Sequence, residues 1–104
     1  MYRENAWKNY SEKELLMLEK TATSYRRFLD AGKTERECTA ITIEAAKKNG
    51  YMDLNNAIRD NVHLQAGDKV YVNCMGKAVM LFHLGKNSLE KGMNIVGSHI
   101  DSPR

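Results

Sequence analysis

The sequence predicts an α/β protein in which an N-terminal helical hairpin leads into the first strands of a mixed sheet. Two observations support this fold class. Through the first half of the chain, apolar residues recur at spacings of three and four, as on one face of an α-helix. After Asp68 the pattern changes to the alternation and short apolar runs that are typical of strands. The 104 residues suit one small domain or a piece of a larger one.

The first helix is predicted over residues 11–31. Ser11 is a suitable N-cap, and Glu12 and Glu14 in the first turn place negative charge where the helix dipole favours it. Gly32 is a natural stop. One apolar face is formed by Leu15, Leu18, Ala22, Tyr25 and Leu29. The helix is therefore amphipathic, with its charged side in solvent.

The second helix is predicted over residues 34–49. Thr34 and Glu37 have the spacing of a capping box, in which each side chain accepts a hydrogen bond from the other residue's backbone. Gly50 follows the last turn and ends the helix. The short link at residues 32–33 joins the two helices into the predicted hairpin.

A β-hairpin is predicted after a mixed region over residues 51–67, in which residues 54–58 suit one short turn of helix. Residues 69–74 alternate between polar and apolar types, as a half-buried strand does. Residues 78–84 are nearly all apolar, as in a strand buried on both faces. The turn between these strands contains Gly76.

A third strand is predicted over residues 93–98, after a polar connection with a single turn at residues 88–90. This strand would deliver His99 and Asp101 to its C-terminal end, on the same face because side chains two apart in a strand point the same way. An imidazole with a carboxylate beside it suits metal binding, since the carboxylate can fix the ring's tautomer. His63 and His83 are interpreted as ordinary histidines, with His83 a minor candidate ligand because it lies on the sheet.

Composition and charge give no support to nucleic-acid binding or to membrane insertion. The formal net charge of +3 is mild, and basic residues alternate with acidic ones, so no basic stripe indicates nucleic-acid binding. No apolar run approaches the length of about 18 residues that a membrane span needs, and the N-terminus lacks a signal-peptide core. Cys38 and Cys74 lie far apart, form no C-x-x-C motif and are interpreted as buried free thiols, which predicts a cytoplasmic location; a disulfide between them stays open as an alternative without support in the sequence.

Three segments of the chain carry a resemblance to a known family. They are Tyr25-Arg26-Arg27-Phe28-Leu29 followed by Lys33-Thr34-Glu35-Arg36-Glu37, then Gly67-Asp68-Lys69-Val70-Tyr71-Val72-Asn73 with Gly76-Lys77, and Gly97-Ser98-His99-Ile100-Asp101-Ser102-Pro103. In sequence and in order along nearly the whole chain, they resemble the aspartyl aminopeptidase / vacuolar aminopeptidase I family of zinc metallopeptidases. Ile100 departs from the threonine that the family commonly has, at a side chain expected to face away from the metal.

The resemblance implies that residues 1–104 are the truncated N-terminal part of a catalytic domain, with an incomplete co-catalytic zinc peptidase fold. It implies that His99 binds one of two zinc ions and that Asp101 is the catalytic carboxylate supporting it. The remaining ligands and the general base would lie downstream, so we expect the chain alone to be inactive. The implied partners are peptide substrates, with acidic or neutral N-terminal residues, and further subunits of a large homo-oligomer.

Two other function classes stay open from the sequence alone. A stand-alone interaction module could keep the helices and strands without chemistry, and a partner would then have to cover the open sheet edge. A small nucleic-acid-binding domain rests only on the mild positive charge.

Overall fold

The computed structural model describes residues 3–101, which form two compact units that divide between Asp30 and Ala31. The helices are α1 (Glu12–Ala31), α2 (Glu35–Lys48) and α3 (Leu54–Arg59), and the strands are β1 (Met52–Asp53), β2 (Lys69–Cys74) and β3 (Ala78–His83). The strands make one mixed sheet, which confirms the predicted α/β class. Within the described range, no helix has the length and apolar character needed to cross a bilayer.

The first unit consists of a short 3-10 turn, Ala6–Asn9, followed by α1. The predicted N-cap of α1 is confirmed: the backbone N–H of Glu14 donates to Ser11 Oγ at 3.3 Å, and the backbone N–H of Ser11 donates to the Glu14 carboxylate at 2.8 Å. The rings of Trp7 and Tyr10 meet edge to face, 5.8 Å apart. No residue of α1 is buried.

In the second unit, α2 begins with the predicted capping box. The backbone N–H of Glu37 donates to Thr34 Oγ1 at 3.2 Å, and the Glu37 carboxylate accepts from the backbone N–H groups of Lys33 (2.8 Å) and Thr34 (2.9 Å). These two backbone donors, first that of Lys33, lower the pKa of Glu37 below its ordinary value of 4.5. The carboxylate therefore contributes to stability in its charged form.

We expect this cap to make the stability of the second unit depend on acidity. Because the folded pKa of Glu37 lies below 4.5, its contribution is complete above about pH 4.5 and is lost as the pH falls through the lowered folded value. Glu37→Gln keeps an acceptor but no charge, so its free energy of unfolding should depend less on pH in this range than that of the unsubstituted chain. Urea unfolding at a series of pH values measures this.

Glu44→Gln is the matched control for that experiment, because Glu44 lies on the same helix and is exposed. It should leave the pH dependence of the unfolding free energy almost unchanged. Equal effects of the two substitutions would contradict a specific role for the cap.

The sheet has the order β1-β2-β3, with β1 parallel and β3 antiparallel to β2. The predicted β-hairpin is confirmed, since β2 and β3 pair antiparallel. Its turn has positive φ at Met75 (56°) and Gly76 (69°), and Asn73 Oδ1 accepts from the backbone N–H of Gly76 at 2.8 Å. Positive φ at both central residues matches the twist of paired strands, although it disfavours the side chain of Met75.

The core of the described chain lies between the helices and the central strand of the second unit, where α2 and α3 both contact β2. Asp53 caps α3, since its carboxylate accepts from the backbone N–H of Asn55 at 2.9 Å. The short helix expected at residues 54–58 is thus confirmed. The buried side chains are those of Cys38, Thr39, Ala46, Ala57, Val70 and Tyr71.

Two features differ from the sequence-based expectations. Residues 93–101 form no strand, so the strand predicted at residues 93–98 is wrong. The sheet instead gains its third member from β1, which was not predicted. A strand exists only where a neighbour completes its hydrogen bonds, and the described chain offers none at residues 93–98. The expectation that β3 is buried on both faces is also wrong, because β3 is an edge strand and Met80, Leu81 and Phe82 are exposed.

Candidate metal centre

His99 and Asp101 lie in the extended segment that follows a 3-10 turn at Leu89–Lys91. His99 Nδ1 is 2.8 Å from the backbone carbonyl oxygen of Asp101 and 3.5 Å from Asp101 Oδ1. The spacing of two residues predicted this proximity, and the structure brings the two residues together although they do not belong to a strand. Residues 102 and 103 of the motif lie outside the described residues.

The contact with the carbonyl group determines which ring nitrogen of neutral His99 carries the proton. A carbonyl oxygen can only accept a hydrogen bond, so Nδ1 must be the donor. Nε2 then keeps its lone pair, on a side chain that is largely exposed. An imidazole held through Nδ1–H and open at Nε2 is the arrangement in which histidine binds metal ions.

Both side chains are accessible: that of His99 is 84% exposed and that of Asp101 is 81% exposed. Imidazole nitrogen and carboxylate oxygen are both zinc donors, so the pair fits one part of a zinc site. A catalytic zinc ion usually has three protein ligands, however. Within residues 3–101, no group of three histidine, cysteine, aspartate or glutamate side chains is placed to hold a metal ion.

The other two histidines do not join this pair into such a group. His83 is the last residue of β3, where it lies opposite Lys69 in the sheet. His63 is exposed in the loop after α3. Their interpretation as ordinary histidines stays a prediction, and the described part of the chain brings no third donor to His99 and Asp101.

The cysteines are likewise separate from the pair. Cys38 is buried in α2, where its thiol donates to the carbonyl oxygen of Gly32 at 3.6 Å. Cys74 ends β2 and is half-buried, and both thiols are free. Neither thiol is in a position to complete the ligand set of His99.

Comparison with known proteins identifies relatives of this chain. The family model described as aminopeptidase I zinc metalloprotease (M18) matches residues 28–104. The chain is 40% identical to a probable M18 family aminopeptidase 1 from Clostridium acetobutylicum, over 96% of this chain and 22% of the relative. It is 38% identical to a protein of the same description from Borrelia garinii subsp. bavariensis, over 100% of this chain and 22% of that relative.

A solved structure agrees with these sequence matches. The crystal structure of aminopeptidase I from Borrelia burgdorferi B31 superimposes with a TM-score of 0.85 at 38% identity, covering 97% of this chain and 24% of that one. The chain thus spans between a fifth and a quarter of the length of these relatives. The family match includes the end of α1, all of α2 and the whole β2–β3 hairpin, together with His99 and Asp101. The chain belongs to the M18 family of zinc aminopeptidases.

Proposed function

We propose that this chain is the N-terminal segment of the catalytic domain of a zinc-dependent aminopeptidase. The intact enzyme would remove acidic or neutral residues from the N-termini of peptides. The observation that carries the proposal is the family match over residues 28–104, which includes a histidine with a free Nε2. The resemblance further implies two zinc ions for each active site and a large homo-oligomer.

In this proposal His99 contributes Nε2 to one zinc ion. The backbone carbonyl group of Asp101 accepts from Nδ1–H, and this contact would fix the ring with Nε2 available to hold zinc. The Asp101 carboxylate, 3.5 Å from the same ring, adds negative charge beside the site. Zinc in such a site supplies an activated water and polarises the carbonyl group of the scissile bond.

We further propose that the 104-residue chain alone is inactive. Its described residues offer one imidazole and one adjacent carboxylate, which is fewer than the three protein ligands of a typical catalytic zinc ion. The exposed apolar side chains of β3, together with Ile95 and Val96 in the later extended segment, support the view that further polypeptide normally covers these surfaces.

The proposed partners follow from the peptidase function. They are peptides and other subunits, with neither nucleic acid nor a membrane. The mild charge of +3 supports the absence of a nucleic-acid partner. A cytoplasmic location is supported by the two free thiols, which persist in a reducing compartment.

Peptidase assays can test both parts of the proposal. The purified chain with added zinc should release no amino acid from aspartyl or leucyl reporter peptides above the buffer rate. A chimera in which this chain replaces the matching segment of the Clostridium acetobutylicum relative should release amino acid, and a chelator should abolish that release. Chelator-sensitive turnover by the chain alone would contradict its inactivity, and a folded, zinc-loaded chimera without turnover would contradict the peptidase function.

A further inference from the structure

Asn49 and Gly50 form the boundary at which α2 ends. Asn49 is the C-cap residue of α2, and Gly50 follows it with a φ of 83°, a left-handed conformation that glycine adopts readily. Both residues are exposed to solvent. The sequence contains no other asparagine that is followed directly by glycine. The end of this helix therefore joins two residue types that are chemically reactive as a pair.

An asparagine that precedes glycine can lose its side-chain amide without a catalyst. The backbone nitrogen of Gly50 gives up its proton and attacks Asn49 Cγ, and the new N–C bond closes a succinimide ring. The bond from Cγ to Nδ2 breaks, and that nitrogen leaves as ammonia. Water then adds to one of the ring carbonyl groups and opens the ring, which leaves aspartate or isoaspartate. Glycine favours the attack because it has no side chain to shield its backbone nitrogen.

Hydrogen bonds at the end of α2 oppose this ring closure in the folded chain. The backbone N–H of Gly50 donates to the carbonyl oxygen of Lys47 at 3.1 Å, so the attacking nitrogen is engaged. Asn49 Nδ2 donates to the carbonyl oxygen of Ala45 at 2.8 Å, which turns the carboxamide toward the preceding turn of the helix. Both bonds must break before the nitrogen of Gly50 can attack Cγ. The reaction therefore requires the last turn of α2 to open.

We propose that Asn49–Gly50 is a modification site whose reactivity is controlled by opening of the α2 end. The hydrogen bonds of the closed helix end preserve the amide, and each opening exposes the pair to succinimide formation. The reaction needs water as its only co-reactant, and both residues are already exposed to it. Neither His99 nor zinc takes part, so this inference does not depend on the proposed peptidase function.

The modification in turn weakens the helix end. A carboxylate oxygen cannot donate to the carbonyl oxygen of Ala45 as Nδ2 does, and it adds negative charge where the helix dipole disfavours it. The carbonyl oxygen of Asn49 also accepts from Lys69 Nζ at 3.2 Å, at the start of β2. Isoaspartate carries the backbone through its side chain and so displaces this carbonyl group. Because ammonia is lost to solution, each converted chain keeps a weakened contact between α2 and β2.

The first test compares modification rates in the folded and the unfolded chain. The 104-residue chain is incubated in buffer and in guanidinium chloride at one pH, and peptide mapping by mass spectrometry follows aspartate and isoaspartate at each asparagine. In denaturant, Asn49 should convert faster than every other asparagine. In buffer its rate should be at least about tenfold lower, because only chains with an open helix end react. Asn87, exposed in the loop after β3, is the reference and should be protected far less.

A second test weakens the helix end without altering the reactive pair. Lys69→Met removes the donor to the carbonyl oxygen of Asn49, and it should raise the rate at Asn49 in buffer by about threefold, the usual effect of losing one hydrogen bond. It should leave the rate in denaturant unchanged. Lys77→Met, an exposed lysine in the β2–β3 turn, is the matched control and should change neither rate.

The effect of the product on stability can be measured with a substitution. Asn49→Asp creates one of the products directly, and it should raise the equilibrium constant for unfolding by about tenfold through the lost hydrogen bond and the unfavourable charge. Asn87→Asp adds the same charge away from the helix end and should leave that constant almost unchanged. Equal effects of these substitutions would contradict the predicted weakening of the α2 end.

Three results of the rate measurements would overturn the proposal. One is an equal rate at Asn49 in buffer and in denaturant, which would mean that the helix end gives no protection. Another is a rate in denaturant no higher at Asn49 than at the other asparagines. The last is an equal change in the rate at Asn49 by Lys69→Met and Lys77→Met.

Discussion

Replacing Tyr71 by alanine is expected to destabilise the second unit by about 3–5 kcal/mol, the usual effect of truncating a buried aromatic side chain. Tyr71 is only 5% exposed and lies in β2, the central strand, with β1 and β3 on either side. Few other large apolar side chains are buried in the described part of the chain. Because small domains are stable by only about 5–15 kcal/mol, this change should remove a large share of the free energy of unfolding.

Phe82→Ala is the matched control, since Phe82 is also an aromatic residue of the same sheet but is 42% exposed on the edge strand. Phe82→Ala should lower the free energy of unfolding by about 1 kcal/mol, because folding buries less of the Phe82 side chain than of the Tyr71 side chain. Urea unfolding followed by circular dichroism measures both effects. Similar costs for the two substitutions would mean that Tyr71 is not the centre of this core.

The features that the sequence predicted correctly are those with local causes. The N-termini of α1 and α2 were predictable because Ser11 and Thr34 each cap a backbone N–H group only three residues away. The β2–β3 hairpin was predictable because its strands are joined by a turn that contains Gly76. The contact between His99 and Asp101 belongs to the same class, since the two residues are separated by only one other.

The features that the sequence could not predict depend on distant pairing. Strand β1 has only two residues, and what makes Met52 part of a strand is its pairing with Val70. A run of two residues has no periodicity that could reveal it. Residues 93–98 illustrate the opposite case, in which an apolar run suited to a strand lacks a neighbouring strand within the described residues. The same limit applies to the proposed metal centre, because the further ligands that the proposal requires cannot be predicted from the spacing around His99.

The second large effect is expected at His99. In the chimera with the Clostridium acetobutylicum relative, His99→Ala should lower zinc affinity by more than about 100-fold, since even residues that only orient a ligand contribute about 10–100-fold. Asp101→Asn should lower zinc affinity by a smaller factor of about 10–100-fold. The backbone carbonyl group that accepts from His99 Nδ1–H at 2.8 Å is retained in this variant. Competition with a chromophoric chelator measures zinc affinity directly and does not require turnover.

His83→Ala is the control for this ligand assignment, because His83 is also an exposed histidine but lies at the end of β3 and outside any group of metal donors in the described chain. It should leave zinc affinity unchanged. If His83→Ala reduced affinity as much as His99→Ala, the ligand set would have to include the end of β3. If His99→Ala left zinc bound and the peptidase rate intact, the free Nε2 of His99 would have no part in the metal site. The geometry of the pair requires a graded loss of zinc affinity. The loss should be largest for His99→Ala, intermediate for Asp101→Asn and absent for His83→Ala.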